Sequence, residues 1–261
     1  MKKTHIAIVI PVYNEEYNIN NAFFQIGQGI RKFPKNKFTI IAVDDASSDN
    51  SYREMIKASH KYKLTLKIQK NLNNVETAQS TKIGFQKALS LKADYALKMD
   101  ADRDFPQKQV IEQLTPYIFK SKNFLRNKLI IGIRKIDKTT QMTPYEKTRK
   151  NQIDAALKKY LCLENYGPAS AGTQLYPIKL LKKILEHSLV INYKKKWGLD
   201  VLLALLFKKL NYKLIIVPIL NGEYNPKRRN YIKVKNQYNE FESIIMQVLD
   251  SNLVYHKKLI K

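Results

Sequence analysis

The stretch Met99 to Pro106, MDADRDFP, carries three carboxylates, Asp100, Asp102 and Asp104, at alternate positions directly after the apolar run YALKM. In extended chain alternate side chains share a face, so Asp100 and Asp102 are expected to point the same way. Two carboxylates converging where a buried segment ends repel each other and lose solvation unless a cation sits beside them. Hard divalent ions take oxygen ligands, commonly one or two carboxylates completed by substrate phosphates. The chemistry on offer is therefore retention of Mg2+ or Mn2+ and, through the metal, of a diphosphate; for an isolated Asp-x-Asp the alternative is a solvated turn. Here it is not isolated. PVYNEE (Pro11 to Glu16), VDDASSDNS (Val43 to Ser51) and Asp200 in WGLD are further acidic or amide-rich stretches beside apolar runs.

Those acids need elements to hold them. Ile6–Val12, Phe38–Val43, Leu64–Ile68, Tyr95–Met99 and Leu129–Ile133 read as short buried strands bounded by polar or turn residues. Helical patterns lie between: residues 16–32, Ser51–Tyr62 behind a Ser/Asp/Asn cluster able to cap it, and Glu76–Leu91. Strands alternating with helices predict an α/β protein with a mostly parallel central sheet and helices on both faces. Such sheets bind ligands beyond the carboxyl ends of their strands, which is where the first, second and fourth strands deliver their acids. The second half is less regular. Residues 144–163 read as helix, NYGPASAGTQLYP as a loop before a helix at Ile178–Glu186, and the stretch from Trp197 to Ile219 as a buried helix followed by a strand. The tail from Tyr238 to Tyr255 forms an amphipathic helix whose apolar stripe (Phe241, Ile244, Ile245, Val248, Leu249) is expected to pack on the domain, a membrane-surface role being the alternative.

The chain has 261 residues, 44% of them hydrophobic, enough for one large core. Lys and Arg number 47 against 22 acids, a formal charge of +25 that favours an anionic partner: a nucleic acid, a phospholipid surface or a phosphorylated substrate. Only eight of the 47 are Arg, and coding bias toward Lys is the competing source of the charge. The one cysteine, Cys162, excludes an internal disulfide or a multi-cysteine zinc site and reads as a structural thiol. No signal peptide is expected, and the longest apolar run, Val201–Phe207, is far short of the roughly 20 residues a bilayer needs.

The ordered set IAIVIPVYNEEYNI, VDDASSDNS and ADYALKMDADRDFP resembles glycosyltransferase family 2 with its GT-A, Rossmann-like fold. The likeness covers roughly residues 5–135 and continues more loosely to about 230; DADRDFP is similar to the form found in the polyprenyl-phosphate mannosyl- and glucosyltransferase branch. The resemblance implies one continuous domain, with residues 1–135 as the nucleotide-sugar-binding half and 136–261 as the acceptor side. It further implies that Pro11, Tyr13, Asn14 and Glu15 border the nucleotide base, that Asp45 beside Asp44 accepts from a ring N–H of that base, that Asp100 lies near the ribose and that Asp102, with Asp100, ligates Mn2+ or Mg2+. Asp200 matches the general base used when the acceptor is a hydroxyl; capping its helix is the alternative. Arg134, Arg228 and Arg229 are the phosphate partners available.

Two features depart from that pattern. The branch often places an acid and an arginine where this chain has Pro168 and Gln174, and the glycine-rich turn expected after the third strand appears as NLNNVETA, without glycine. The function implied is an inverting, metal-dependent glycosyltransferase. It would use a UDP- or GDP-type sugar donor and a saccharide or polyprenyl-phosphate acceptor, in the cytoplasm, with peripheral contact at the inner face of an anionic membrane if the acceptor is a lipid. The rivals are a nucleic-acid-binding protein, which the low Arg share disfavours, and an inactive nucleotide-sugar-binding scaffold.

Overall fold

The computed structural model describes residues 3–102, 106–120, 124–134, 172–219 and 231–250, with the single positions 148, 151 and 155. One sheet of seven strands runs through it in the order β3-β2-β1-β4-β6-β5-β7. The strands are β1 (His5–Val12), β2 (Lys37–Asp44), β3 (Leu66–Lys70), β4 (Tyr95–Lys98), β5 (Lys128–Arg134), β6 (Thr173–Pro177) and β7 (Lys213–Ile219). All run parallel except β6, which is antiparallel to both β4 and β5.

Alternation along the strands divides the core between two faces. Ile6, Ile8, Ile10 and Val12 of β1 meet α1 (Glu16–Ile30), α2 (Ser51–Tyr62) and α4 (Gln107–Leu114) through Phe23, Ile26, Met55 and Ile111. Ala7 and Val9 face the opposite way, toward α3 (Glu76–Ser90), α5 (Ile178–Leu185) and α7 (Leu199–Lys209). A parallel sheet covered on both sides has no solvated face, which is why its strands read as continuous apolar runs. Helix α8 (Tyr231–Asp250) lays Phe241, Ile244, Ile245 and Val248 into the second of these cores, so the amphipathic stripe packs on the domain.

The structure corrects several expectations. NYGPASAGTQLYP is not all loop: Thr173–Pro177 is β6, wholly buried and inserted between β4 and β5. An antiparallel strand placed centrally is buried on both faces, so TQLYP has none of the polar alternation that marks an exposed one. β3 begins two residues later than the apolar pattern suggested, at Leu66, because Leu64 still closes the end of α2, its amide donating to the Ser59 carbonyl of that helix. Helix α4, the 3-10 turn Thr115–Phe119 and the one-turn α6 (Ser188–Ile191) had no counterpart in the sequence reading. Of the expected helix at 144–163 only positions 148, 151 and 155 are described, and they are helical; the rest, with Cys162, lies outside the described residues.

Candidate active site

The acids meet at the carboxyl ends of β1, β2 and β4, around a cavity of about 660 Å³. Pro11, Tyr13 and Glu15 line it from the first loop, Asp45 from the second, and Asp100 and Asp102 from the fourth. The far wall comes from distant chain: Asn74, Glu76, Thr77 and Ser80 ahead of and within α3, Lys196 and Trp197 ahead of α7, and Asn236 of α8.

The first two loops are tied to each other. Asn14 adopts a left-handed backbone (φ 55), as does Ala46 (φ 59), conformations that asparagine tolerates better than alanine. The Asn14 amide donates to Ser47 Oγ at 3.1 Å, and Asn14 Oδ1 accepts from the Ser48 amide at 2.9 Å. Asp49 accepts from the amides of Ser51 and Glu16, so one carboxylate serves the starts of α1 and α2 together. Asn14 thus joins two loops and does not line the cavity. The paired aspartates also divide. Asp44, fully buried, accepts from the Ser47 amide at 3.0 Å and leaves its Oδ2 without a partner among the described residues, whereas Asp45 reaches the cavity and accepts from Asn71 Nδ2 at 2.8 Å and the Val75 amide at 2.9 Å. Where a glycine-rich turn was expected, Glu76 itself takes φ 72, and its carboxylate pairs with Lys196 at 2.6 Å across the cavity wall.

β4 ends at Lys98, so Asp100 and Asp102 stand on the loop beyond it rather than in extended strand. Gln107, buried at the start of α4, holds that loop by donating its side-chain amide to the carbonyls of Asp100 (3.0 Å) and Asp102 (2.8 Å). Both acids supply oxygen only, the donor type that hard divalent cations take. No group of three His, Cys, Asp or Glu side chains able to hold a metal occurs among the described residues, so substrate oxygens would have to complete the set.

The residue that sequence reading passed over is Lys98. It is only 2% exposed, yet its ammonium donates to Asp100 Oδ1 at 2.9 Å and to Asp200 Oδ2 at 3.1 Å. Burial alone pulls this lysine's pKa down, but the two carboxylates outweigh it and hold the ammonium above the ordinary lysine value. Burial pushes Asp200 up from the ordinary carboxylate value, Lys98 opposes that and Asp100 adds to it. Asp200 is the second residue of α7, whose N-cap is Gly198, and its carboxylate turns to the lysine rather than capping the helix. Its Oδ1 has no partner among the described residues. The signal for Lys98 was present in the sequence: in a strand covered on both faces, Ala96 and Lys98 share one face while Leu97 and Met99 take the other, and a charge there requires a partner.

Gln174, the departure from the branch pattern, turns out to be structural. It is fully buried on β6, paired in register with Lys98, and donates from Nε2 to the Asp200 carbonyl at 3.0 Å while accepting the Tyr176 hydroxyl. The segment 192–198 is held as firmly. Lys82 donates to the carbonyls of Val190 (3.1 Å) and Tyr193 (3.2 Å), the Tyr193 hydroxyl to the Trp197 carbonyl, the Ala78 amide to the Lys196 carbonyl (3.2 Å) and the Trp197 amide to Glu240 Oε2 (2.9 Å). Arg134 is the last residue of β5. Asp104, Pro168, Arg228 and Arg229 lie outside the described residues.

No curated protein sequence matches the chain significantly. Among solved structures, a mannosyltransferase from Pyrobaculum calidifontis in complex with GDP-Man and Mn2+ superposes with a TM-score of 0.66 at 14% identity, over 95% of this chain and 64% of that one. Glucosyl-3-phosphoglycerate synthase from Mycobacterium tuberculosis, in complex with Mn2+, UDP-glucose and phosphoglyceric acid, superposes with a TM-score of 0.67 at 12% identity, over 95% of this chain and 80% of that one. At such identities the likeness establishes the fold. The family model for glycosyl transferase family 2 matches residues 7–183, more than half of the chain. The chain belongs to glycosyl transferase family 2 and is a glycosyltransferase with the GT-A fold.

Proposed function

We propose that the protein transfers a sugar from a UDP- or GDP-type nucleoside-diphosphate sugar to a saccharide or polyprenyl-phosphate acceptor, with inversion at the anomeric carbon. The observation that carries this reading is the meeting of Asp45, Asp100 and Asp102 around one cavity while Asp200 of α7 is joined to Asp100 through Lys98. Pro11, Tyr13 and Asp45 would hold the nucleoside, with Asp45, fixed by Asn71 and the Val75 amide, offering a carboxylate to a ring N–H. Asp102, with Asp100 beside it, would hold Mn2+ or Mg2+, which when bound neutralises charge on the departing diphosphate oxygens. The metal seen with both structural relatives supports that assignment.

In one displacement the acceptor oxygen bonds to the anomeric carbon as the bond to the diphosphate oxygen breaks. When the acceptor is a hydroxyl, the Asp200 carboxylate takes its proton. A phosphate acceptor is already anionic and needs no base. Lys196 stands beside Trp197 at the cavity wall and brings positive charge that suits an anionic acceptor, the kind that phosphoglyceric acid is in the mycobacterial relative. No helix of the described residues is long and apolar enough to cross a membrane, so a lipid acceptor would be met at the surface. Co-sedimentation with anionic vesicles at low and high salt tests that version, which fails if no binding occurs at low salt.

The donor site is tested by a thermal-shift panel of UDP, GDP and their hexoses, with and without Mn2+, on the wild-type chain and on Asp102→Ala. Ligand at a hundred times its Kd stabilises the native state by about 2.7 kcal/mol, a readily measured shift. A Mn2+-dependent shift for one base, absent from Asp102→Ala, is expected; no shift with any nucleotide overturns the reading.

A further inference from the structure

We infer that Lys98 is a positioning residue for the transfer step: its ammonium sets the spacing between the donor-side acid Asp100 and the acceptor-side acid Asp200. The inference rests on the sugar-transfer reading above. Lys98 is the last residue of β4, between Val9 of β1 and Gln174 of β6, on the sheet face covered by α3 and α7. An ammonium there is removed from water, and a lone buried charge is costly, so the position is tenable only with anionic partners at bonding distance. It has two, at 2.9 and 3.1 Å, from elements about a hundred residues apart in the chain. One nitrogen bonded to both keeps the two carboxylates within hydrogen-bond reach of a single ammonium.

The surroundings allow little else. A Cβ on Gly172 would lie 2.9 Å from Asp100 Oδ2 and 3.8 Å from Lys98 Nζ, so even alanine would crowd the group. Gln174 holds the backbone carbonyl of Asp200 while Lys98 holds its carboxylate, so the first turn of α7 is fixed at two points. Removing the ammonium would leave two carboxylates facing each other with the helix still in place. The acids would then part, while Pro11, Tyr13, Asp45 and Asp102 kept their places around the nucleotide.

The test separates binding from transfer. Lys98→Met keeps the length and removes the charge; Lys98→Arg keeps the charge with a different fork. Binding of UDP and GDP with Mn2+ is measured by calorimetry, and turnover as nucleotide released from UDP-glucose or GDP-mannose with water as acceptor. Lys98→Met is expected to bind nucleotide within about threefold of wild type while turnover falls about a hundredfold, the scale of a misplacement near 1 Å, and Lys98→Arg to recover at least about tenfold of that loss. Unchanged turnover in Lys98→Met, or a loss matched by lost nucleotide binding, overturns the inference. If Lys98→Met does not fold, Lys98→Gln, which keeps a donor and removes the charge, takes its place: reduced turnover with native nucleotide binding and melting supports positioning, and full turnover overturns it. A wild-type chain that binds no nucleotide overturns the transfer reading and this inference with it, an outcome distinct from a Lys98 variant that binds and turns over normally.

Discussion

The two sides of the cavity are built in different ways. On the β1–β2–β4 side each functional carboxylate stands at the end of the strand that precedes it and is held from the loops and the helix start beside that strand: Gln107 holds the Asp100 to Asp102 loop, and Asn71 and Val75 hold Asp45. On the α7 side, Asp200 depends on β4 through Lys98 and on β6 through Gln174, while Lys196 is held by α3 and Trp197 by α8. The first arrangement is a set of loops on parallel strands. The second is a helix start tied to side chains of two buried strands, Lys98 of β4 and Gln174 of β6, so its geometry is more exposed to single substitutions within the sheet. Changes across the sheet should be tolerated on the β1–β2–β4 side and not on the α7 side.

The sharpest way to break that contrast is Asp200→Asn, which keeps the shape and removes the basic oxygen. With a hydroxyl acceptor, turnover should fall by about a hundredfold or more while Mn2+-dependent nucleotide binding is retained. Steady-state kinetics beside calorimetry checks this, and near-normal turnover would point to a phosphate acceptor that needs no base.

Gln174→Leu comes next. It removes the hydrogen bonds that Gln174 donates to the Asp200 carbonyl and accepts from the Tyr176 hydroxyl, at about 0.5–1.5 kcal/mol for each bond lost. Urea unfolding should show the loss, and turnover should drop with nucleotide affinity kept. Equal loss of nucleotide binding would mean the two sides are not separable.

Gly198→Ala probes the other support of α7. The position has φ +83, and a Cβ would lie 2.4 Å from Ile244 Cδ1 of α8, so backbone strain and overpacking together should cost about 1–3 kcal/mol. A melting temperature equal to wild type would show that α8 yields there.

The smallest effect expected is a pH dependence on the donor side. Burial, reinforced by Lys37 and opposed by Asp94, lowers the pKa of His5 on β1 below 6.5, where its ring bonds Thr39 Oγ1 at 2.9 Å. The unfolded chain therefore binds the proton first. This contribution is fully present above pH 6.5 and is lost as pH falls below that value toward the lower folded pKa. Urea midpoints compared at pH 7.5 and 5.5 should show a decline that His5→Gln reduces; an identical decline in the variant would assign it elsewhere.

Much of this was legible without coordinates. Ser51–Tyr62 was bounded correctly because its polar cluster and Tyr62 mark both ends, and β1, β2 and β5 were found to within a residue because buried parallel strands are plain apolar runs. Asp45, Asp100 and Asp102 announced themselves as acids following such runs. β6 was missed because five residues of mixed character after a Gly/Pro/Ser stretch carry no period, and only their pairing with β4 and β5 makes them strand. Asn14 was visible as a loop residue, but its work of joining two loops depends on Ser47 and Ser48, more than thirty residues away.

Local pattern alone settled the α/β alternation and the strand ends that carry the acids, since both follow from side-chain periodicity and the solvation of carboxylates. Tertiary structure alone decided what those acids would meet. A buried lysine, a buried glutamine and an aspartate at a helix start have no relation along the chain. They become one unit only because β6 runs back between β4 and β5 and carries Gln174 alongside Lys98, beneath the first turn of α7. A charge can stay in that interior only where the fold delivers opposite charges within bonding distance, and that distance is a property of the folded chain.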